Sequence, residues 1–326
     1  MRAAYYEANG PAARVLRLGE IATPEPGPGE VRVKLATSGV NPSDVKSREG
    51  RTRKIAFPRV IPHSDGAGII DKVGSGVAAG RIGERVWTWN AQWKRPFGTA
   101  AEYIVLPAAL AVRLPDHIGF AEGACLGIPA MTAYHAVATA QADSASTVLI
   151  PGGCGGVGHY AIQFAKACGA VVITTVSSEE KAKLARVAGA DHVIDYKRED
   201  VGAIVMDLTD NGGVDAVIEM DLAANAKLYP SVLHPRSRVV VYGTGAAQAP
   251  IPAQFLLVNA ITMQWIFVYE LTAEERKAAI DAIAQLMSEK RLIHNVALTL
   301  PLGDIVRAHE AVEEGQAAGN VVVTIP

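Results

Sequence analysis

The sequence has few cysteines, few aromatic residues and almost no net charge. Its three cysteines, Cys125, Cys154 and Cys168, lack the paired spacing of a disulfide scaffold or of a cysteine-rich zinc module. Aromatic residues make up 6% of the chain and are not interleaved with basic residues as on RNA-binding surfaces. The formal net charge of −2 gives no overall field that would attract nucleic acid or an anionic membrane. We therefore expect no nucleic acid among its partners.

Long apolar runs are also missing. The most apolar long stretch, Phe255 to Tyr269, is interrupted by polar residues and is shorter than the about 20 apolar residues that span a bilayer. The first ten residues, "MRAAYYEANG", contain no apolar signal region. We therefore expect a cytoplasmic protein with no membrane segment. The composition, 49% hydrophobic and 20% charged, is that of an ordinary globular protein, and the 326 residues favour two domains.

The two parts of the chain differ in their hydrophobic pattern. Up to about residue 120, alternating segments such as "VRVKLAT" are separated by turn sequences such as "PEPGPGE", which predicts a small β-barrel or sandwich. From about Ile128, strand-like runs alternate with helical patterns, which predicts an α/β fold with a doubly wound parallel sheet. The strand-like runs are "TVLI", "AVVITTV", "HVID", "VDAVIEM", "RVVVYG" and "ITMQWIFV".

The last part of the chain returns to strands. After the amphipathic helix pattern "TAEERKAAIDAIAQLMSEK" come "NVALTLPL" and "GNVVVTIP", which we expect to rejoin the N-terminal β domain. The sequence thus predicts a discontinuous first domain at residues 1–122 and 292–326, and a second domain at residues 123–291.

A glycine-rich segment lies between the first strand of the second domain and its first helix. In "VLIPGGCGGVGHYAIQFAK", Gly153, Gly155 and Gly158 form a G-x-G-x-x-G pattern in the strand–turn–helix context of a dinucleotide-binding loop. The first glycine is expected to permit the tight turn, the second to let the backbone approach a pyrophosphate, and the third to let helix and strand pack closely. Cys154 in this loop is either a small filler residue or a redox-sensing thiol at a helix N-terminus.

The choice between NADH and NADPH is read at the end of the second strand. NAD sites usually place an acid there, whereas "VVITTV" is followed by Ser177-Ser178-Glu179-Glu180-Lys181. Ser177 and Lys181 are suited to hold a 2′-phosphate, so we expect NADPH. Ser177 and Glu180 also form a capping-box pattern, which is compatible with that role. Tyr196, after "HVID", is either an adenine-stacking residue or an ordinary tyrosine at a strand end.

Several motifs in a fixed order resemble a known family. They are "SGVNPSDVKSREG", "PHSDGAGIIDKVGSGV", "RIGERVW", "GTAAEYIVLP", "LGIPAMTAYHAV", "PGGCGGVG" and "GADHVIDY". Together they are similar to medium-chain dehydrogenases/reductases, and most similar to the zinc-free, zeta-crystallin-like quinone oxidoreductases. This resemblance, which covers nearly the whole chain, implies a GroES-like β-rich catalytic domain and a Rossmann domain. It also implies NADPH-dependent reduction of a quinone in the cleft between them.

The resemblance also implies a set of cofactor contacts. Residues carried over from the family would line the nicotinamide, the pyrophosphate and the ribose. They are Asn41, Ile128, Thr132, Cys154, Gly155, Gly156, Val157, Gly158, Asn225, Tyr242, Gly243, Thr244, Gly245, Trp265, Ile266 and Phe267. Many relatives have Lys at the position of Asn320. The asparagine in this chain therefore removes one possible cofactor contact. The apolar last strand of the sheet, which includes Trp265 to Phe267, is expected to pair in a homodimer.

The zinc ligands of other family members are replaced in this sequence. Zinc-dependent relatives have Cys at the position of Asn41 and a His–Glu pair at Ser64-Asp65, and the segment "WNAQWKRPFG" lacks the cysteines of their structural zinc lobe. We therefore expect no bound metal. His63 falls where the family usually has Gly.

Loss of the metal ligands favours an acceptor that takes hydride without a Lewis acid, namely a quinone or an α,β-unsaturated carbonyl. The candidate catalytic residues are Asn41, Lys46 and Arg51. Asn41 would bind the acceptor oxygen or a ribose, and Lys46 replaces a tyrosine of many relatives near the substrate. The basic run "KSREGRTRK" either edges the site or is an ordinary solvated loop. Alternative functions are an NADPH-dependent enone or enoyl-thioester reductase and a non-catalytic NADPH-binding protein.

Overall fold

The computed structural model describes residues 1–52 and 54–326 of the chain. These residues form two compact units, one made of Met1–Pro129 with Ile283–Pro326 and the other of Ala130–Ala282. No described helix combines the length and the apolar character needed to cross a bilayer.

The first part of unit 1 is mainly β-structure. Its strands and helices, in chain order, are β1 (Arg2–Tyr5), α1 (Ala12–Val15), β2 (Arg17–Glu20), β3 (Glu30–Val40), α2 (Pro42–Glu49), β4 (Asp65–Val73), β5 (Arg85–Thr88), β6 (Tyr103–Pro107), β7 (Ala111–Arg113) and α3 (Phe120–Gly123).

Strand β3 organises the sheet of unit 1. It pairs antiparallel with β4 and with β6, and β4 continues through β5 to β7. Its sequence alternates as the pattern predicts, because Val31, Val33 and Leu35 are buried while Arg32 and Lys34 between them are less so. This inward row joins the core of unit 1.

Unit 2 alternates helices and strands. Its elements, in chain order, are α4 (Met131–Ala140), β8 (Thr147–Pro151), α5 (Gly156–Ala167), β9 (Val171–Val176), α6 (Glu179–Val187), β10 (His192–Asp195), α7 (Val201–Leu208), β11 (Val214–Glu219), α8 (Leu222–Asn225), β12 (Leu233–Val241), α9 (Ala253–Val258) and β13 (Thr262–Trp265).

The strands of unit 2 form one parallel sheet in the order β10-β9-β8-β11-β12-β13. The predicted doubly wound α/β sheet is therefore confirmed. The strand order reverses between β8 and β11, and ligands of such sheets bind beyond the carboxyl ends of the strands at this switch point. The glycine-rich loop follows β8 and so lies at that point.

The chain leaves unit 2 within the long helix α10 (Ala273–Ser288). It continues in unit 1 as β14 (Val296–Pro301), α11 (Ile305–Glu313) and β15 (Asn320–Thr324). Strand β15 pairs antiparallel with the end of β3 and parallel with β14, so the C-terminal strands extend the N-terminal sheet.

Candidate functional site

The glycine-rich loop of unit 2 is built around contacts that leave no room for side chains. A Cβ on Gly153 would lie 2.1 Å from Thr174 Oγ1, and one on Gly158 would lie 2.4 Å from the carbonyl oxygen of Gly152. The tight turn predicted at Gly153 belongs instead to Gly152, which has a φ of +72°. The first glycine of the pattern is needed for packing against β9, and the third for packing of α5 against the loop.

Gly155 is less crowded than these glycines. An added Cβ would make a tight contact with one atom, the carbonyl oxygen of Gly152 at 3.3 Å. Gly155 caps the twelve-residue helix α5, whose first residues, Gly156 and Val157, have backbone N–H groups without partners inside the helix. A helix start of this kind accepts an anionic group such as a pyrophosphate, so the residues present fit a dinucleotide.

The end of β9 brings Ser177 and Lys181 together. Lys181 Nζ donates a hydrogen bond to Ser177 Oγ at 3.0 Å. The predicted capping box at Ser177 is wrong, because Ser178 caps α6 and its side chain accepts from the backbone N–H of Lys181. Ser177 is thereby left beside the ammonium group of Lys181. The charge of the same ammonium opposes the rise that burial causes in the pKa of Cys154, a residue of the glycine-rich loop.

Cys154 does not have the environment of a redox-sensing thiol. Burial raises its pKa, and the opposing effect of Lys181 is smaller. Of the two interpretations, the small filler residue is therefore favoured over the redox-sensing thiol.

Glu219, which the sequence analysis did not single out, organises the end of β11. Its buried carboxylate accepts hydrogen bonds from Asn225 Nδ2 at 2.8 Å, Tyr229 Oη at 3.0 Å and the backbone N–H of Asp221 at 2.6 Å. Burial raises its pKa. In the sequence, the one indication of its role is an acidic residue near the end of the apolar run "VDAVIEM". In the structure, Glu219 orients the carboxamide of Asn225.

The segment after β12 is tied to the same place. The backbone N–H of Gly245 donates to Asp221 Oδ1 at 2.7 Å, and that of Leu222 donates to the carbonyl oxygen of Gly243 at 3.2 Å. A Cβ on Gly243 would lie 2.2 Å from the carbonyl oxygen of Met220. The structure therefore brings the predicted contacts at Asn225 and at residues 242–245 together at the carboxyl ends of β11 and β12.

The remaining predicted contacts of unit 2 lie in different surroundings. Thr132 is buried in α4, and Tyr196 is exposed after β10. Ile266 is buried and its backbone N–H donates to the carbonyl oxygen of Val241 at 3.0 Å, while its neighbours Trp265 and Phe267 are exposed.

In unit 1, Asn41 is held by two carboxylates. Its Nδ2 donates to Asp65 Oδ2 at 2.8 Å, and its backbone N–H donates to Asp44 Oδ2 at 2.8 Å. Asp65 also accepts from the backbone N–H of Ile128 at 2.9 Å. The carboxyl of Asp65 is fully buried, and burial raises its pKa well above the usual range. Asp65 is thus a further site residue that positions Asn41 and Ile128.

The residues at this place do not fit a zinc ion. Asn41 offers a carboxamide whose nitrogen already donates to Asp65, and zinc prefers cysteine, histidine or an available carboxylate. Across residues 1–52 and 54–326, no group of three or more His, Cys, Asp or Glu side chains is arranged to hold a metal ion.

The basic run near Asn41 is not a solvated loop as a whole. Its first part forms α2, where Arg48 is fully buried, forms an ion pair with Glu313 of α11 and donates to the carbonyl oxygen of Gly10 at 2.6 Å. Arg51 is exposed and pairs with Glu49. Lys46 is partly buried in α2.

Arg53 of the basic run lies outside the described residues. Asn320 is buried in β15, where its Nδ2 donates to the carbonyl oxygen of Asn295 at 3.1 Å.

Two family models match the chain. Residues 27–116 match the alcohol dehydrogenase GroES-like domain, and residues 156–285 match the zinc-binding dehydrogenase domain. The expected combination of a GroES-like and a Rossmann domain is thereby confirmed.

Similar proteins of known name cover almost the whole chain. A human quinone oxidoreductase is 30% identical over 322 residues, which are 98% of this chain and 96% of the relative. A 2-haloacrylate reductase from Burkholderia sp is 29% identical over 93% of each protein. A mycobacterial protein solved in complex with NADPH superposes with a TM-score of 0.87 at 28% identity, over 99% of each chain.

Proposed function

Because the chain belongs to the quinone oxidoreductase family of the medium-chain dehydrogenases/reductases, we propose that it reduces a quinone with NADPH and without a metal ion. Membership of the family supports an NAD(P)-dependent oxidoreductase. The preference for NADPH and the use of a quinone as acceptor are what we propose.

The observation that carries the choice of NADPH is the pair of Ser177 and Lys181. A hydroxyl and an ammonium group 3.0 Å apart at the end of β9 offer two hydrogen-bond donors to a phosphate. The corresponding position in NADH-dependent proteins usually carries an acid that would repel a 2′-phosphate. The similarity to a mycobacterial protein solved with NADPH supports the same choice.

The chain's own residues would hold the cofactor in three places. The loop from Cys154 to Gly158 would face the pyrophosphate, the Ser177–Lys181 pair the 2′-phosphate, and Asn225 a ribose hydroxyl. With its Nδ2 bound to Glu219, Asn225 presents its Oδ1 as an acceptor for that hydroxyl. NADPH bound in this way supplies a hydride, and the acceptor must then be positioned and its developing oxyanion stabilised.

Asn41 is the residue of unit 1 proposed to face the acceptor or the nicotinamide ribose. One N–H of its carboxamide is bound by Asp65, which leaves the second N–H as a donor in a fixed direction. A neutral, oriented donor suits a quinone, because the quinone accepts hydride readily and needs only modest stabilisation of the product oxygen. Lys46 and Arg51 are proposed to add positive charge near this place.

A second candidate is the reduction of a carbon–carbon double bond next to a carbonyl group. The similarity to a 2-haloacrylate reductase favours it, because such acceptors also take hydride without a metal ion. A third possibility is a protein that binds NADPH without catalysis.

The acceptor experiment separates these functions. Chelator-treated protein would be mixed with NADPH and, in parallel, with 1,4-benzoquinone, with a simple enone or with no acceptor. Oxidation of NADPH in the presence of the quinone supports the proposal. Oxidation in the presence of the enone alone indicates that the protein reduces carbon–carbon double bonds. Tight binding of NADPH with turnover of neither acceptor indicates a binding protein.

We also propose a homodimer formed through β13. This strand is the edge of the parallel sheet, and the side chains near it are unusually exposed for their type. Trp265 is 61% exposed, Leu257 80% and Val258 71%. An apolar sheet edge of this kind is suited to pairing with a second copy of the chain. The cytoplasmic location remains a prediction from the sequence.

A further inference from the structure

A cavity of about 330 Å³ lies in unit 1, close to the helix that begins after Asn41. Its volume is at the lower end of the range for small-molecule sites. Ser47 of α2 lines it, six residues beyond Asn41, which corresponds to about 9 Å along a helix. The other lining residues are Tyr6, Lys54, Ile55, Ala56, Phe57, Val60, Gln92, Trp93 and Lys94.

The walls of the cavity are fixed to the rest of unit 1. Asn9 ties one wall together, because its Nδ2 donates to the carbonyl oxygen of Ser47 at 2.9 Å and its Oδ1 accepts from the backbone N–H of Ile55 at 2.8 Å. Tyr6 and Val60 exchange backbone hydrogen bonds at 2.9 Å. Gln92, another lining residue, donates from Nε2 to the carbonyl oxygen of Arg95 at 2.8 Å. The cavity is therefore a preformed feature of the fold.

Its chemistry combines apolar walls with positive charge. Ile55, Phe57 and Trp93 provide apolar and aromatic surface, Lys54 and Lys94 provide two ammonium groups, and none of the described lining residues is acidic. The Lys94 ammonium lies 5.4 Å from the centroid of the Trp93 ring, so charge and aromatic surface are adjacent.

The backbone at Lys94 has a conformation that allows a clean test of its side chain. Lys94 has a φ of +56°, in the left-handed region where glycine is the unstrained choice. Replacing Lys94 by glycine therefore removes the ammonium group and relieves the backbone at the same time.

We propose that this cavity binds an electron acceptor that has an apolar body and one carboxylate or sulfonate group. The apolar body packs against Phe57 and Trp93, and Lys54 and Lys94 pair with the anionic group. The inference rests on the proposed reductase function, and it assigns to this chain a preference for anionic over neutral acceptors.

Two measurements test the inference, and the first does not depend on turnover. Calorimetric titration would compare 1-naphthalenesulfonate with the neutral 1-naphthalenemethanol. We expect the sulfonate to bind once per chain and more tightly than the alcohol. Lys54→Met and Lys94→Met should each weaken sulfonate binding roughly fivefold, the upper end for partly exposed ion pairs. Equal binding of both probes, or sulfonate binding unaffected by either substitution, would overturn the inference.

The second measurement is the ratio of kcat/KM for 1,4-naphthoquinone-2-sulfonate to that for 1,4-naphthoquinone. The ratio should fall in Lys54→Met and in Lys94→Met. It should stay unchanged in Lys290→Met, a matched control because Lys290 is also exposed and has a φ of +55°. Lys94→Gly should lower the ratio without lowering the melting temperature, since it removes the charge and relieves the backbone.

The failures of the two proposals are distinguishable. Lysine-dependent binding of the sulfonate with no reduction of any quinone would overturn the reductase function, and with it the assignment of the cavity to an acceptor. Reduction of both quinones with a ratio that is the same in all variants would overturn the acceptor preference alone.

Discussion

Lys181 Nζ donates a hydrogen bond to Ser177 Oγ at 3.0 Å, beyond the carboxyl end of β9. The charge of Lys181 also lowers the pKa of Cys154 in the glycine-rich loop, against the larger effect of burial. The two side chains give unit 2 a basic, hydrogen-bonding position where NADH-dependent proteins usually have an acid. The proposed preference for NADPH therefore depends on these two side chains.

Replacing Lys181 by Met should selectively impair the use of NADPH. A hydrogen bond to a charged group contributes about 1.5–3 kcal/mol, so kcat/KM for NADPH should fall about 10- to 100-fold. The value for NADH should change little, since NADH has no 2′-phosphate. Lys183→Met is the control, because Lys183 is exposed on the same helix. Parallel losses with both cofactors would contradict the assigned role.

Glu219→Gln should weaken the binding of NADPH and the binding of NADH to the same extent. The glutamine amide would bring a donor to a place where Asn225, Tyr229 and Asp221 all donate, so the carboxamide of Asn225 would lose its orientation. We expect the dissociation constants of both cofactors, measured by fluorescence titration, to rise about tenfold, the loss of one hydrogen bond. Tyr229→Phe leaves the bond to Asn225 intact and should have a smaller effect. Unchanged binding in Glu219→Gln would exclude a positioning role.

Acid should destabilise unit 1 through two buried histidines. His63 Nε2 and His309 Nε2 are 2.9 Å apart, and His63 Nδ1 is 2.7 Å from Ser38 Oγ. Burial lowers the pKa of His63 from 6.5 to about 3 and that of His309 well below its usual range. The unfolded chain therefore binds protons below about pH 6.5 that the folded chain does not, so stability is present above that pH and falls as the pH decreases towards 3.

The free energy of unfolding in urea should thus decrease between pH 7.5 and pH 5.5, by up to about 1.4 kcal/mol per pH unit for each histidine. His309→Leu should lower stability at pH 7.5 and also make the pH dependence shallower. His192→Gln, at an exposed position, serves as the control and should leave the slope unchanged. An equally steep slope in His309→Leu would show that this pair does not cause the acid sensitivity.

Trp265→Asp should convert the proposed dimer to a monomer. A charge at this exposed edge of β13 would have to be buried against a second copy, which is costly without a partner. Light scattering coupled to size-exclusion chromatography would measure the mass of both proteins. Wild-type protein that is monomeric at high concentration would rule out the proposed dimer.

The sequence predicted the parallel sheet because strand-like runs and helical patterns are local signals. Each predicted strand overlaps the observed one, and "HVID" coincides with His192–Asp195, whereas the prediction for β12 misses its first five residues. The capping residue of α6 was placed one position too early, because either serine of Ser177-Ser178 can cap. The choice depends on where β9 ends, and the sequence does not give that boundary.

Long-range pairing explains what the sequence could not predict. The burial of Arg48 depends on Glu313 of α11, and the burial of His63 depends on His309 of the same helix. The roles of Asp65 and Glu219 likewise arise from partners that the fold brings to them. The sequence shows that these residues are polar, but it does not show which residues they contact in the fold.

The most direct test of the proposed function is the oxidation of NADPH by wild-type protein freed of metal ions. The protein would be dialysed against a strong zinc chelator and assayed with 1,4-benzoquinone, with NADPH and NADH compared at equal concentrations. From the proposed function we expect turnover that survives chelation, is not raised by added zinc and has a higher kcat/KM for NADPH. Activity that disappears on chelation and returns with zinc, or a higher kcat/KM for NADH, would contradict it.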